Sequence, residues 1–331
     1  MIAANMFLRP ALYIVLVAVL AAAVERYASP PGGLQLPIAS TGEGSAAIQT
    51  GSLAYPREAI DSDRMRIRIP RPAHRIVSQY WSIDEYLYSV VPPESIVAVS
   101  ESAYSHDYGN VYLLAEKFHP PIATDPERVL KLDPDLIVVS SDGRADYTSL
   151  VRGTGVPVYR MQTTFHTLDQ IEKTILLTGY ITGADEAAQK EAARFRASIE
   201  QARAKARNQR FSPRILGLSG KHGYGSNTVF DDVLKTVGAI NVAAENGIEG
   251  YIPVNFEQIA LWNPDWIVAG ADRGQVKQVL EQLSSDPAIA ITKAAHNRHI
   301  LVFETNVIVP MSPFTSRFVT MLADALYKAG S

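Results

Sequence analysis

Short apolar runs alternate with amphipathic segments along the chain from about residue 75 to its end. Runs of three to six apolar residues are typical of buried strands, and apolar residues spaced three or four apart are typical of helices. This pattern predicts strands at residues 75–78, 95–100, 135–140, 156–161, 214–220, 265–270 and 299–303. It predicts helices at residues 82–91, 108–118, 126–132, 167–183, 184–210, 228–238, 255–262, 274–284 and 312–330. Strands that alternate with helices indicate parallel sheets covered on both faces, an α/β fold.

The segment 184–210 differs from the other predicted helices in its length and its composition. It contains no Gly or Pro and has eight alanines between Ala184 and Ala204. Alanine, Glu, Gln, Lys and Arg are the strongest helix formers, and about 24 such residues span roughly 36 Å. Because the strand–helix alternation restarts at residue 214, we interpret this helix as a rigid connector between two lobes. A solvated surface helix of a single domain is the alternative.

One short sequence occurs twice, once on each side of this helix. ERVLKLDPDLIVV begins at Glu127, and EQIALWNPDWIVA begins at Glu257. In both copies a helical segment leads through a Pro-Asp corner, at Pro134 and Pro264, into an apolar strand. The repeat indicates two pseudo-equivalent Rossmann-like α/β lobes.

Length and composition narrow the class of protein. The 331 residues are enough for two domains, and 47% hydrophobic with 20% charged residues is typical of a globular chain. A net charge of −3 and the lack of a basic-aromatic stripe argue against a nucleic-acid partner. The chain has no cysteine, which excludes disulfides, thiolate metal sites, a cysteine nucleophile and a lipidated N-terminal cysteine.

The N-terminal region predicts export. Ala11–Val24 is a run of fourteen uncharged residues, short for a bilayer span but typical of a secretory signal, with small residues at Ala21–Ala23 for cleavage. An uncleaved anchor to the inner membrane is the alternative. Residues 25–70 are rich in Pro, Gly, Ser and Ala, which predicts a flexible tether that contributes little to the fold. We therefore divide the chain into residues 1–24 (signal or anchor), 25–70 (tether), 71–165 (N-terminal lobe), 166–210 (connecting helices) and 211–331 (C-terminal lobe).

Enzyme motifs are not found in the sequence. GLSGKHGYG at residues 217–225 follows a predicted strand, but Lys221 is not followed by the Ser or Thr of a phosphate-binding loop. The GxSxG and HExxH patterns do not occur. We predict a protein that is not an enzyme and that has no cofactor and no metal site of its own, while a Tyr or His that ligates the iron of a haem ligand stays possible.

Aromatic residues are concentrated where predicted strands end. In open parallel sheets, ligands bind at the carboxyl ends of the strands. Each residue taken singly is compatible with ordinary packing, but together they indicate an aromatic-lined cleft that suits a large, planar or partly apolar ligand. The predicted ligand-binding residues are Tyr80, Trp81, Tyr104, His222, Tyr224 and Tyr251.

From about Arg75 to Tyr327 the chain resembles the periplasmic substrate-binding proteins of ABC importers for ferric siderophores, haem and cobalamin. The resemblance is carried by RIVSQYWSIDEYLYSV, IVAVSESAYS, TDPERVLKLDPDLIVV, the long 167–208 helix region, FDDVLKTVGAINVA and VNFEQIALWNPDWIVAG. It implies two lobes joined by one rigid helix, a ligand cleft between them, a metal-chelate ligand, a periplasmic location and no catalysis. An envelope sensor or accessory protein that uses the same fold without a permease is the alternative.

The resemblance also assigns roles to particular residues. Glu127 and Glu257 match the glutamates that dock on arginines of a dimeric membrane permease, although a carboxylate at a helix start is favoured by the helix dipole alone. Tyr251 matches a ligand-facing aromatic position. The cleft loops lack the dense arginine set used for anionic siderophores, with only Arg144 and Arg317 as weak candidates. This favours haem, cobalamin or a neutral iron chelate.

Overall fold

The computed structural model describes residues 53–107, 109–118, 125–207, 209–308 and 310–327, which belong to one compact unit, Ser45–Ser331. The predicted signal segment Ala11–Val24 lies outside them. No helix among these residues has the length and apolar character needed to span a membrane.

The predicted strands and helices occur in the predicted order, together with short elements that were not predicted. The strands of the described residues are β1 (Arg57–Ile60), β2 (Arg66–Ile69), β3 (Ile76–Ser78), β4 (Ile96–Ala98), β5 (Leu136–Ser140), β6 (Val158–Met161), β7 (Arg214–Ser219), β8 (His222–Tyr224), β9 (Ile240–Asn241), β10 (Tyr251–Pro253), β11 (Trp266–Ala271) and β12 (Ile300–Glu304). The helices are α1 (Trp81–Val90), α2 (Tyr112–Ala115), α3 (Pro126–Leu130), α4 (Ala145–Arg152), α5 (Leu168–Thr182), α6 (Asp185–Arg207), α7 (Val229–Thr236), α8 (Val242–Glu245), α9 (Phe256–Trp262), α10 (Val276–Ser285), α11 (Pro287–Ala290), α12 (Lys293–His296), α13 (Thr305–Ile308) and α14 (Thr315–Leu326).

Each lobe is built on its own sheet. The N-terminal lobe has the parallel order β4-β3-β5-β6. In the C-terminal lobe the order is β10-β8-β7-β11-β12, with β9 also paired to β7. Strands β7, β9, β11 and β12 are parallel, whereas β8 pairs antiparallel with β7, and β10 pairs antiparallel with β8. The α/β class with two lobes is confirmed, but the second sheet is mixed.

Side-chain alternation along the central strands explains how the lobes are held together. In β5, Leu136 and Val138 enter the main core, while Ile137 and Val139 enter a separate core on the other face. In β11, Val268 enters the same main core. The main core therefore continues from one sheet, through the connecting helices, to the other.

The long connecting helix predicted at residues 184–210 is present as α6, and the helix predicted at residues 167–183 precedes it as α5. Helix α5 begins at a capping box formed by Thr167 and Gln170. It ends at Gly183, whose left-handed φ of 87° is incompatible with a continuing right-handed helix. Helix α6 then runs for 23 residues, about 35 Å. A Cβ added at Gly179 would lie 2.3 Å from the Cβ of Ala188, so only glycine permits this close approach of α5 and α6.

Residues 57–69 correct the tether prediction. They form the antiparallel β1–β2 hairpin, with Ile67 and Ile69 in the main core. Arg57 is 4% exposed and makes a bidentate ion pair with Asp185 of α6 at 2.7 and 3.0 Å. For this part of the chain the expectation of a tether with little role in the fold is wrong. The hairpin is fastened to the connecting helices.

Candidate functional site

The carboxyl edges of the two sheets face each other. Asp107, in the loop after β4, accepts a hydrogen bond from the backbone N–H of Arg273, which follows β11, at 2.8 Å. Asn110 Nδ2 donates to the carbonyl of Asn306, which follows β12, at 3.0 Å. These contacts join loops at the carboxyl ends of strands from different lobes, where ligands of open α/β sheets bind.

On the N-terminal lobe, the structure brings Tyr80 and Trp81 together. Strand β3 ends at Ser78, and helix α1 begins at Trp81, with Tyr80 in extended conformation between them. The ring centroids are 5.8 Å apart. Tyr80 packs on the main core, and burial raises the pKa of its phenol. Tyr104 ends the 3-10 turn after β4 and packs on the same core.

On the C-terminal lobe, the structure joins His222, Tyr224 and Tyr251. The antiparallel register of β8 and β10 places Tyr224 opposite Tyr251, with ring centroids 5.1 Å apart. The His222 ring stacks on Tyr251 at 4.8 Å and 14°. The Tyr251 hydroxyl donates to the Ser219 carbonyl at 3.1 Å, which fixes the ring although 47% of the residue is exposed.

A series of stacked aromatic rings connects this group to the buried core. Tyr224 stacks on Phe230 at 4.9 Å, and Phe230 lies 6.0 Å from Phe318, both fully buried. Burial and the neighbouring Tyr251 raise the pKa of Tyr224. A ligand seated on Tyr251 and His222 would therefore rest on a rigid aromatic support. The structure thus brings five of the six predicted residues into two groups, the pair Tyr80 and Trp81 on one lobe and His222, Tyr224 and Tyr251 on the other. Tyr104 packs on the same core as Tyr80 but belongs to neither group.

Polar residues at the edge of the N-terminal sheet were missed by the sequence analysis. Strands β5 and β6 end side by side. The threonine hydroxyls that follow β6 therefore meet the carboxylate of Asp142, which follows β5. Asp142 Oδ2 accepts from Thr163 Oγ1 and Thr164 Oγ1, both at 2.9 Å, and Ser140 Oγ lies 2.6 Å from Thr163 Oγ1. Only the pairing of β5 with β6 brings these residues into contact.

Two adjacent buried carboxyl groups, Asp84 and Glu85 of α1, lie beneath the contact between the lobes. Glu85 Oε1 accepts from Asn110 N at 2.8 Å and from Asn110 Nδ2 at 2.9 Å, and its Oε2 pairs with Ser312 Oγ of the C-terminal lobe. Burial raises the pKa of Glu85 to about 8, against the hydrogen bonds that lower it. Burial likewise raises the pKa of Asp84, which accepts from Ser100, to about 7. Glu85 thus links the lobes without a cation as its partner.

The two copies of the repeated sequence form equivalent corners. Glu127 and Glu257 each occupy the second position of a short helix, α3 or α9, and both are exposed. The preceding residues, Asp125 and Asn255, cap these helices with side-chain hydrogen bonds. After each helix the chain turns through a left-handed residue, with φ of 50° at Asp133 and 44° at Asn263.

The equivalence of the corners extends to two arginines that the sequence analysis did not single out. Asp135 accepts from the backbone N–H of Arg75 at 2.8 Å, and Asp265 accepts from that of Arg214 at 3.0 Å. Each arginine side chain in turn donates to carbonyls at the end of its corner helix, Arg75 Nε at 2.9 Å to Asp133 and Arg214 Nη1 at 3.1 Å to Asn263. Each corner helix leads into the amino end of a strand, α3 into β5 and α9 into β11, with its glutamate in the first turn.

The described residues contain no group of three His, Cys, Asp or Glu side chains arranged to hold a metal ion. This observation concerns the side chains of the described ranges and does not bear on metal brought in within a ligand.

Comparisons with known proteins agree with this architecture. Residues 76–306 match the family model described as periplasmic binding protein. The chain is 23% identical over 281 residues to a cobalamin-binding protein of Halobacterium salinarum, covering 83% of this chain and 75% of that protein.

Solved structures share the fold. The periplasmic haem-binding protein RhuT of Roseiflexus sp. RS-1 superposes with a TM-score of 0.65 at 26% identity, covering 78% of this chain and 99% of RhuT. The molybdate periplasmic binding protein MolA of Haemophilus influenzae superposes with a TM-score of 0.68 at 17% identity, covering 82% and 91%. The resemblance seen in the sequence is confirmed, and the chain belongs to the periplasmic binding protein family.

Proposed function

We propose that this protein is the extracytoplasmic solute-binding component of an ABC importer, which binds a metal chelate between its lobes and delivers it to a membrane permease. The chelate is a ferric siderophore, haem or cobalamin. The observation that carries the proposal is the stacked group of His222, Tyr224 and Tyr251 at the carboxyl edge of the C-terminal sheet.

The chemistry of this group favours a large chelate with a flat apolar face. An exposed tyrosine whose hydroxyl is fixed offers its ring face at little cost in conformational entropy. Trp81 and Tyr80 on the other lobe supply a second aromatic contact. With haem as the cargo, a phenol or imidazole of this set would suit an axial position on the iron. No part of this role requires the protein to catalyse a reaction.

Binding is tested by thermal denaturation of the full-length chain with haem, cobalamins and several ferric siderophores. A ligand present at about 100 times its Kd stabilises the folded state by about 2.7 kcal/mol, so a specific binder raises the midpoint clearly. We expect Tyr251→Ala to weaken that ligand by about tenfold or more. Tyr88→Ala is the matched control, because Tyr88 is similarly exposed, at 44%, but lies on α1 of the other lobe. Equal loss in both variants would contradict the assignment, and no shift with any chelate would reject the ligand class.

Docking is the second part of the proposal. Glu127 and Glu257 are exposed and equivalent, and they belong to lobes that share one core. Two such carboxylates suit a dimeric permease that has a cationic group on each subunit. Paired opposite charges would set the orientation and register of this protein on the permease.

Charge reversal separates docking from ligand binding. In vesicles that contain the importer, we expect Glu127→Lys with Glu257→Lys to reduce uptake at least about tenfold, while ligand affinity stays within about twofold. The control is Glu94→Lys with Glu281→Lys, which reverses one exposed glutamate on each lobe away from the corners. Loss of ligand binding in the first variant, or equal transport by both, would reject the docking role.

A further inference from the structure

Arg273 lies where the carboxyl edges of the two sheets touch. It follows β11 of the C-terminal lobe, and its backbone N–H is held by Asp107 of the N-terminal lobe at 2.8 Å. This hydrogen bond positions the backbone of Arg273. It uses no donor of the guanidinium, which makes its own contacts.

The guanidinium lies beside an imidazole and an aromatic ring of the other lobe. Its Nη1 is 3.3 Å from His106 Nδ1, and its central carbon is 5.4 Å from the Tyr112 ring centroid. The His106 and Tyr112 rings are 4.4 Å apart. Because a guanidinium only donates, His106 Nδ1 accepts, and the neutral imidazole carries its proton on Nε2. The imidazole of the N-terminal lobe therefore orients the guanidinium of the C-terminal lobe.

This cation is not neutralised by an ion pair, unlike the arginines that serve the fold. Arg57, Arg152, Arg160 and Arg214 each pair with a carboxylate. None of the ion pairs between described residues includes Arg273. The Tyr112 hydroxyl raises the pKa of Arg273, and the carboxylates of Glu304 and Asp107 add to this effect, so the guanidinium stays charged. An exposed, pre-positioned cation without a partner carboxylate is suited to an anion from outside the chain.

We propose that Arg273 and His106 form a subsite that binds a carboxylate group of the cargo. The inference rests on the proposed function, because it places the cargo between the facing edges. The planar guanidinium matches a carboxylate in two-point geometry, and His106 Nδ1, which accepts from Nη1, orients it for that contact. The subsite selects chelates with peripheral carboxylates, such as a dicarboxylate porphyrin or a carboxylate-type iron chelate. The sparse arginines of the sequence favour haem, cobalamin or a neutral iron chelate, and of these the subsite fits haem, which has two propionates.

The substitution Arg273→Gln removes the cation and keeps the backbone N–H that bonds Asp107, so the contact between the lobes survives. Arg210→Gln is the matched control. Arg210 is exposed and precedes β7, which places it at the amino edge of the C-terminal sheet. Unchanged thermal midpoints in both variants establish that the fold is retained.

Two probes that differ only in their carboxylates test the subsite. Ferric haem has two propionates, and its dimethyl ester has the same iron and macrocycle without that charge. In absorbance titrations of the full-length chain, we expect Arg273→Gln to weaken haem by about tenfold or more and the ester by less than about twofold. Arg210→Gln should change neither, and His106→Gln should weaken haem less than Arg273→Gln does. Equal losses for haem and ester, or no loss for haem, would overturn the subsite.

A measurement without a chelate separates failure of the subsite from failure of the proposed function. In an NMR titration of the ligand-free chain with glutarate, a simple dicarboxylate, we expect the Arg273 Nε–H and His106 ring resonances to shift saturably. The shifts should vanish in Arg273→Gln. If the wild type binds no chelate but glutarate shifts these resonances, the proposed function fails and the anion subsite stands. If glutarate shifts nothing, the subsite is rejected whatever the chelates do.

Discussion

Replacement of Glu85 by glutamine is expected to make the protein more stable than the wild type at alkaline pH and to change little at acidic pH. Glu85 is fully buried, and its oxygens contact only hydrogen-bond donors, Asn110 and Ser312. Glutamine has nearly the same shape, accepts from Asn110 through its oxygen and can donate to Ser312. It therefore imitates the protonated carboxyl group.

The sign of the pH dependence of stability follows from the difference in the pKa of Glu85 between the folded and unfolded chains. Burial raises the pKa of Glu85 from 4.5 to about 8, so between these values the folded state keeps a proton that the unfolded chain releases. The contribution of this group is fully favourable below pH 4.5 and is lost as the pH rises to about 8. At about 1.4 kcal/mol for each pKa unit, the loss is on the order of 5 kcal/mol. Asp84, with its pKa raised from 3.8 to about 7, adds a loss of the same sign.

The assay is urea unfolding of the full-length chain, followed by tryptophan fluorescence, at pH values from 5 to 9. We expect Glu85→Gln to lie within about 1 kcal/mol of the wild type at pH 5 and to become the more stable protein above pH 8. Glu94→Gln, at an exposed position on the same lobe, should follow the wild type throughout. Parallel pH curves for wild type and Glu85→Gln would refute the claim that a buried, protonated carboxyl group joins the lobes.

Two further predictions concern stability and use the same assay. Arg57→Leu leaves Asp185 without its buried partner and should cost about 3–5 kcal/mol, whereas Arg66→Leu, which breaks an exposed pair on the same hairpin, should cost less than about 1 kcal/mol. Similar values for the two would show that the hairpin is not fastened through Arg57. Asp135→Ala and Asp265→Ala each leave backbone N–H groups unpaired and should cost about 1–3 kcal/mol apiece, adding within about 0.5 kcal/mol because they lie in different lobes. A loss confined to one of them would contradict the equivalence of the corners.

Several elements were predicted closely because their signals are local. The strand predicted at residues 135–140 is found at Leu136–Ser140, and the helix predicted at residues 167–183 at Leu168–Thr182. A buried strand between two helical layers is apolar on both faces, and a helix boundary is marked by its own cap and its terminal glycine. The boundary between α5 and α6 is likewise a local signal, because a single residue, Gly183, ends α5 before α6 begins.

The N-terminal hairpin was missed for the opposite reason. Its strands are short and charged, and their place in the fold depends on distant contacts, the packing of Ile67 and Ile69 in the main core and the pairing of Arg57 with Asp185, 128 residues away. The edge formed by β8 and β10 was also missed, since three-residue strands carry almost no periodic signal. Their pairing is what stacks His222 and Tyr251, so the composition of the aromatic group could be predicted but its geometry could not.

The amino-acid sequence by itself determined the alternation of strands and helices, the two equivalent corners with Glu127 and Glu257, and the aromatic residues at strand ends. These features depend on side-chain periodicity, capping and turn chemistry within a few residues. Only the tertiary structure decided that Arg273 meets His106 and that Glu85 meets Ser312 across 227 residues of chain. Such contacts depend on strand order and on how two sheets share one core, and no spacing along the sequence encodes the distance between residues that belong to different lobes.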